Sequence, residues 1–170
     1  RIRPTSDRAR EAIFNILAHG IPDFTIEGAR VLDLFAGTGA LGLEALSRGA
    51  RFCLFVEEDA EARGLIRQNV EAFGLTGATK IFRRDATSLG PAANQGGNAL
   101  ALLDPPYGKD LAEKALEAAA AGGWLDEGAV CVVEERKDVT LALPSGFAQI
   151  DARTWGDTTV TFLRFTAQPA

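Results

Sequence analysis

A chain of 170 residues, 46% hydrophobic and 24% charged, has the balance of an ordinary globular domain and can bury a substantial core. No apolar run approaches the roughly 20 residues of a membrane-spanning helix, and no signal peptide is visible. The net charge of −5, the single histidine and the two cysteines argue in turn against a broadly basic surface, a zinc site and a disulfide framework.

The start of the chain departs from this acidic average. Arg1, Arg3, Arg8 and Arg10 fall within the first ten residues. They form either a partner-binding patch or a solvated helix start, and charge alone does not choose. The chain opens on Arg1 and contains no Met, so the natural start is expected upstream. Thr5 or Ser6 is placed to cap a helix running to about Leu17, with Asp7 in its first turn. Ala9, Ile13, Ile16 and Leu17 give that helix an apolar face, and Arg8, Glu11 and Asn15 share another.

Strands are expected at Arg30–Phe35, Arg51–Glu57, Thr79–Arg84, Ala99–Asp104 and Ala129–Glu134. These are continuous apolar or β-branched runs, the pattern of strands buried on both faces. Cys53 and Cys131 lie within them and read as buried thiols of a reducing cytosol. Helices are expected between them at Ala40–Arg48, Ala60–Phe73 and Lys109–Ala121, ended in the C′ manner by Gly49, Gly74 and Gly122. Pro91–Asn98 is a polar loop before the fourth strand. The alternation predicts a doubly wound, parallel α/β sheet. Phe147–Trp155 and Thr158–Thr166 flank Gly156-Asp157, a hairpin signal, so an antiparallel pair closes the sheet. Nothing divides residues 1–170 into two domains.

The first strand runs into a glycine turn, VLDLFAGTGALG, in which Gly37, Gly39 and Gly42 spell G-x-G-x-x-G. Such a turn lets backbone approach a ligand at the carboxyl end of a strand. Glu57 follows Gly37 by 20 residues, where an acid can accept both hydroxyls of a ribose. The spacing fits a nicotinamide or flavin dinucleotide and equally S-adenosylmethionine, and glycines serving only helix–strand packing are a third reading. Asp85, in RRDA, is placed to meet an adenine amino group or to cap a short helix, with the next backbone N–H serving a ring nitrogen.

The fourth strand ends in Asp104, Pro105, Pro106 and Tyr107. Two prolines fix the backbone and remove two donors, leaving carbonyl oxygens beside a carboxylate and an aromatic ring. That set suits a planar exocyclic amino group. If Asp104 and the Pro105 carbonyl accept its hydrogens, its lone pair is directed at an electrophilic methyl, while Tyr107 stacks on the ring. A dehydrogenase has no comparable use for such a motif. The combination therefore moves the cofactor from a dinucleotide to S-adenosylmethionine. A dinucleotide-dependent oxidoreductase and a non-catalytic RNA-binding module remain the other classes.

D-P-P-Y at strand four with a glycine turn at strand one resembles the methyltransferases that modify amino groups of DNA or RNA bases. The opening RPTSDRAREAIFNIL, with DLFAGTGALGLEALSRGA and FVEED, is similar to the bacterial 16S rRNA (guanine-N2)-methyltransferases of the RsmD type, from Arg3 nearly to the C-terminal strands. The resemblance implies a Rossmann-like fold, a mostly parallel seven-stranded sheet with an antiparallel C-terminal hairpin. It implies S-adenosylmethionine as methyl donor, S-adenosylhomocysteine as product and no metal. The acceptor it implies is a guanine N2 in 16S rRNA, within a small-subunit particle, and the setting a cytoplasmic monomer. By carry-over Asp33, Phe35, Gly37 and Gly39 line the methionine side, Glu57 holds the ribose, and Asp85 and Ala86 the adenine. Asp104, Pro105, Pro106 and Tyr107 hold the target amino group. Arg3, Thr5, Ser6 and Arg8 flank cofactor or RNA. The family also implies a basic N-terminal extension before the opening motif, which this chain does not carry. Adenine-N6 or cytosine-N4 methylation is the nearest alternative, because D-P-P-Y serves those amino groups equally well.

Overall fold

The computed structural model describes residues 6–106 and 110–167. Arg3, Thr5 and Tyr107 lie outside the described residues. In chain order the elements are α1 (Asp7–His19), β1 (Arg30–Leu34), α2 (Ala40–Ser47), β2 (Phe52–Val56), α3 (Ala60–Ala72), β3 (Thr79–Phe82), β4 (Asn98–Leu103), α4 (Leu111–Ala121), β5 (Leu125–Arg136), β6 (Phe147–Trp155) and β7 (Thr158–Phe165). They build one seven-stranded sheet in the order β3-β2-β1-β4-β5-β7-β6. β1 to β5 run parallel. β7 lies antiparallel between β5 and β6 and is the reversed strand. This is the expected Rossmann-like sheet with its C-terminal hairpin.

Alternate residues of each strand feed two apolar clusters. Leu32, Leu34, Leu54 and Val56 join Trp124 and the Ala112, Ala115, Leu116 and Ala119 stripe of α4 on one face. Val31, Phe55, Leu102 and Phe162 join Ile13, Phe14 and Leu17 of α1, Leu41 and Ala45 of α2 and Ile66 of α3 on the other. Each fully buried Leu, Ile or Phe contributes roughly 1.5–3 kcal/mol, so the stripes hold the helices far more firmly than propensity does. Cys53 and Cys131 are buried free thiols, and burial pushes the Cys131 thiol up to about 12. No helix of the described residues is long and apolar enough to cross a membrane.

Several boundaries differ from expectation, each for a local reason. Ser6 caps α1, its Oγ accepting from Ala9 N at 3.2 Å. β3 stops at Phe82 because it is an edge strand, and its only partner, β2, ends opposite at Val56. β5 runs on to Arg136 because β7 supplies an antiparallel partner for the polar residues Glu134 to Arg136. Gly49 and Gly74 take the left-handed φ that ends α2 and α3. Gly122 does not. It is the cap residue of α4, with φ −87°, and Gly123 takes the left-handed turn at φ 79°. Gly122 is glycine for space: a Cβ there would strike the Gly90 carbonyl and the Trp124 indole.

Candidate cofactor and transfer site

β1 and β4 are neighbours in the sheet, but their connections lead to opposite faces, to α2 and α4 respectively. The sheet opens at such a point beyond the carboxyl ends of its strands. A cleft of about 610 Å³ lies there. Its walls are Asp33 near the end of β1 with Phe35 and Gly37 after it, Val56 at the end of β2 with Glu57 to Asp59 after it, Arg84 to Thr87 after β3, and Asp104 to Pro106 after β4. Ten of the expected site residues, Asp33, Phe35, Gly37, Glu57, Asp85, Ala86, Asp104, Pro105 and Pro106 with the buried Gly39 behind them, are thereby gathered from segments up to 73 residues apart (106 − 33).

The turn after β1 is bent tightly. Phe35, Gly37 and Gly39 all have left-handed φ, at 57°, 59° and 82°. For the two glycines this is free of steric cost, whereas Phe35 carries strain of order 1 kcal/mol or more. Ala36 N donates to Val56 O at 3.1 Å, and Gly39 N to Ala36 O at 2.8 Å. The three glycines divide their work. Gly37 faces the cleft. Gly39 begins α2 and lies against Ile66 and Phe55. Gly42 serves packing: a Cβ there would sit 2.5 Å from Phe55, 2.7 Å from the Cys53 thiol and 2.9 Å from Asp33 Oδ2.

Asp33 is 1% exposed and accepts from Gly42 N at 3.0 Å. Burial holds its carboxyl well above the usual carboxylate range; the Gly42 hydrogen bond pulls the other way, and the charges of Asp104 and Glu57 add to the rise. Burial, with Asp33 beside it, likewise pushes the Cys53 thiol up. Asp33, which lines the cleft, therefore clamps the first turn of α2 onto β1. Glu57 joins two loops: Oε1 accepts from Gly37 N at 2.7 Å and Oε2 from Asp59 N at 3.0 Å. The acid after β2 thus sits directly against the glycine turn.

Asp85 lies three residues beyond β3 rather than at its end, and no helix starts there. Its Oδ1 accepts from Thr87 N at 2.8 Å and Thr87 Oγ1 at 2.7 Å, a closed turn in place of the expected helix cap. Ala86 is buried beside it. Across the cleft, Asp104 directly follows β4, Pro105 is buried and Pro106 is exposed. Ser6 and Arg8 are exposed at the start of α1 and do not line the cleft. The sequence reading missed Glu58, Asp59, Glu61, Leu65, Arg84, Thr87 and Leu111. Glu58 and Asp59 were visible in FVEED and Arg84 in RRDA, but nothing in those runs distinguishes a wall residue from a solvated one.

These walls fit a nucleoside-bearing cofactor with a charged tail. Backbone of a glycine turn and an acid against it form one side, an alanine held in a closed turn forms another, and a carboxylate with two prolines faces them. The family described as conserved hypothetical protein 95 matches residues 1–164. The ribosomal RNA small subunit methyltransferase D of Haemophilus influenzae is 34% identical over 157 residues, covering 91% of this chain and 79% of its own. The solved structure of the Escherichia coli protein yhhF covers 98% of this chain and 89% of its own, at TM-score 0.82 and 28% identity. An RNA methyltransferase of Salinibacter ruber, solved in complex with S-adenosyl-L-homocysteine, shares the fold at TM-score 0.69 and 12% identity, covering 99% of this chain and 97% of its own.

Proposed function

Because this chain belongs to the RsmD-type family of small-subunit rRNA methyltransferases, we propose that it methylates the exocyclic N2 of a guanine in small-subunit rRNA, with S-adenosylmethionine as donor. The observation that carries the reading is the facing of two walls across one cleft, Gly37 with Glu57 on one side and Asp104 to Pro106 on the other. When bound, S-adenosylmethionine would supply a methyl group activated by a sulfonium leaving group. Everything else falls to the protein. Glu57 keeps its carboxylate at the turn, where it accepts ribose hydroxyls. The turn after β1 admits the amino-acid tail against its backbone, and Asp85 with Ala86 meets the adenine.

Asp104 accepts one hydrogen of the guanine amino group at a carboxylate oxygen, and the Pro105 carbonyl accepts the other. An amino nitrogen conjugated to its ring is a poor nucleophile. Fixing both hydrogens directs its lone pair at the methyl, and Asp104 then takes the released proton. The catalytic gain is mostly positioning. Tyr107, outside the described residues, stacks on the base, as enzymes that extrude bases require.

The test incubates the chain with methyl-labelled S-adenosylmethionine and small subunits lacking the modification, then identifies the labelled nucleoside. N2-methylguanine is expected; label on adenine N6 or cytosine N4 would keep the chemistry and replace the specificity. Asp104→Ala is expected to lose transfer while calorimetry shows cofactor affinity within about twofold. Loss of cofactor binding in that variant would overturn the division between the two walls.

A further inference from the structure

The acidic average of the chain hides a second basic region besides its start. Residues 60–84 carry Arg63, Arg67, Lys80, Arg83 and Arg84 against Glu61 and Glu71, in a chain of net charge −5. This segment forms the outer helix and edge strand of the sheet, α3 and β3. Ile81 of β3 packs with the α3 side, while Lys80 and Phe82 turn to the opposite face. On that face cations and aromatic rings alternate. The Arg30 guanidinium lies 4.6 Å over the Phe52 ring at the start of the strands. Lys80 is exposed at mid-strand. The Arg84 guanidinium lies 5.1 Å from Phe82 and 5.6 Å from Trp124, and donates to Leu89 O at 3.0 Å. Arg84 also lines the cleft, so the ribbon runs from the cleft mouth down the β3 edge. From the level of Phe82 to that of Phe52 it spans four residues of strand, about 13 Å.

An edge strand often carries a lysine to block pairing with another sheet. That accounts for Lys80 and leaves the stacked arginines unexplained. Among the described residues Arg30, Lys80, Arg83 and Arg84 have no carboxylate within ion-pair distance, whereas Arg10, Arg48, Arg136, Lys137 and Arg153 do. A guanidinium lying on a ring loses part of its rotamer freedom in advance and keeps N–H donors for a ligand. Unpaired, preorganised cations beside aromatic rings are the chemistry that receives a nucleic-acid backbone.

We infer that the face formed by Arg30, Lys80 and Arg84 is a second contact surface for the substrate RNA, holding phosphates of the strand that leads into the cleft. The inference rests on the proposed rRNA substrate. It divides the labour between a cleft that selects a base and a ribbon that supplies affinity without sequence preference.

The test compares the unsubstituted chain with R30Q/K80Q, leaving the cleft residue Arg84 intact. Binding to deproteinised small-subunit rRNA is followed by fluorescence anisotropy across a salt series. The double variant is expected to bind more weakly, with the slope of log Kd against log salt shallower by roughly 1.5 to 2. Cofactor affinity by calorimetry is expected to stay unchanged. Arg153→Gln, whose side chain is paired with Asp151, controls for loss of charge alone and is expected to keep the original slope. A double variant with the original affinity and slope would overturn the ribbon. If the unsubstituted chain methylates no rRNA but the slope difference persists, the ribbon stands and the proposed reaction fails.

Discussion

Gly42 and Gly64 allow one substitution to be made twice with opposite expected signs. Both are helical, in α2 and α3. At Gly64 an added methyl meets nothing within 4 Å. Gly64→Ala therefore removes backbone freedom from the unfolded chain and adds helix propensity, a gain of about 0.5–1 kcal/mol. At Gly42 the same methyl meets Phe55, Cys53 and Asp33, all at 2.9 Å or less and all at most 1% exposed. None of the three can swing into solvent. Overpacking of this kind costs about 1–3 kcal/mol, and three simultaneous close contacts place Gly42→Ala near 3. For a chain of this length each kcal/mol moves the midpoint by about 2–4 °C. Thermal unfolding followed by circular dichroism is expected to show Gly42→Ala lowered by roughly 6–12 °C and Gly64→Ala raised by about 1–4 °C. If Gly42→Ala melts within about 2 °C of the unsubstituted chain, the assignment of this glycine to packing is wrong.

Two further substitutions probe the carboxylates of the cleft. Glu57→Ala strips an acceptor from both Gly37 N and Asp59 N. Cofactor affinity is expected to fall tenfold or more by calorimetry, with Glu57→Gln intermediate, and equal affinity in Glu57→Ala would remove Glu57 from the cofactor site. Asp33 is a titration case. Its folded carboxyl lies above the usual value of 3.8, so the stability it contributes is full below that value and is lost as pH rises through the folded one. Asp33→Asn does not titrate and keeps an acceptor for Gly42 N. Urea unfolding is expected to show Asp33→Asn gaining on the unsubstituted chain as pH rises above about 4; a gap that is constant or moves the other way refutes the burial argument.

Much of the fold could be read from residue pattern because burial dictated it. β1, β2 and β4 are covered on both faces, so apart from Arg30, Asp33 and Asn98 their residues form apolar runs with clear ends. Elements whose ends depend on a distant partner read less well. The last residues of β5 are polar and become strand only because Thr158 to Val160 lie opposite them. Arg83 and Arg84 look like strand but have no partner once β2 ends. Within the site, Glu57 and the D-P-P run were legible because chemistry demands those residue types at those places. Two assignments needed three dimensions. Gly42 shares the glycine signature but answers to Phe55, not to a ligand. Asp85 looks like a cap but spends Oδ1 on Thr87. The basic ribbon was illegible for a similar reason: Arg30 belongs to β1 and Lys80 and Arg84 to the β3 segment, and only the parallel pairing of β1, β2 and β3 brings the two segments together.

Arg164 of β7 donates to the Pro22 carbonyl, 142 residues earlier, and to the Gly128 carbonyl. Val160 and Phe162 of the same strand share a cluster with Ile13, Phe14 and Leu17 of α1. α1 therefore waits for β7, far along the chain, before its apolar stripe is fully covered. Loop closure over such a span is entropically costly and slow. A nascent chain halted before β7 would leave part of the α1 stripe uncovered, a target for chaperones and proteases. The cleft, assembled from segments between Asp33 and Leu111, would already be encoded in that halted chain. The C-terminal hairpin thus finishes the cover of a helix that ends 128 residues before the hairpin begins (147 − 19), after every segment of the cleft has been laid down.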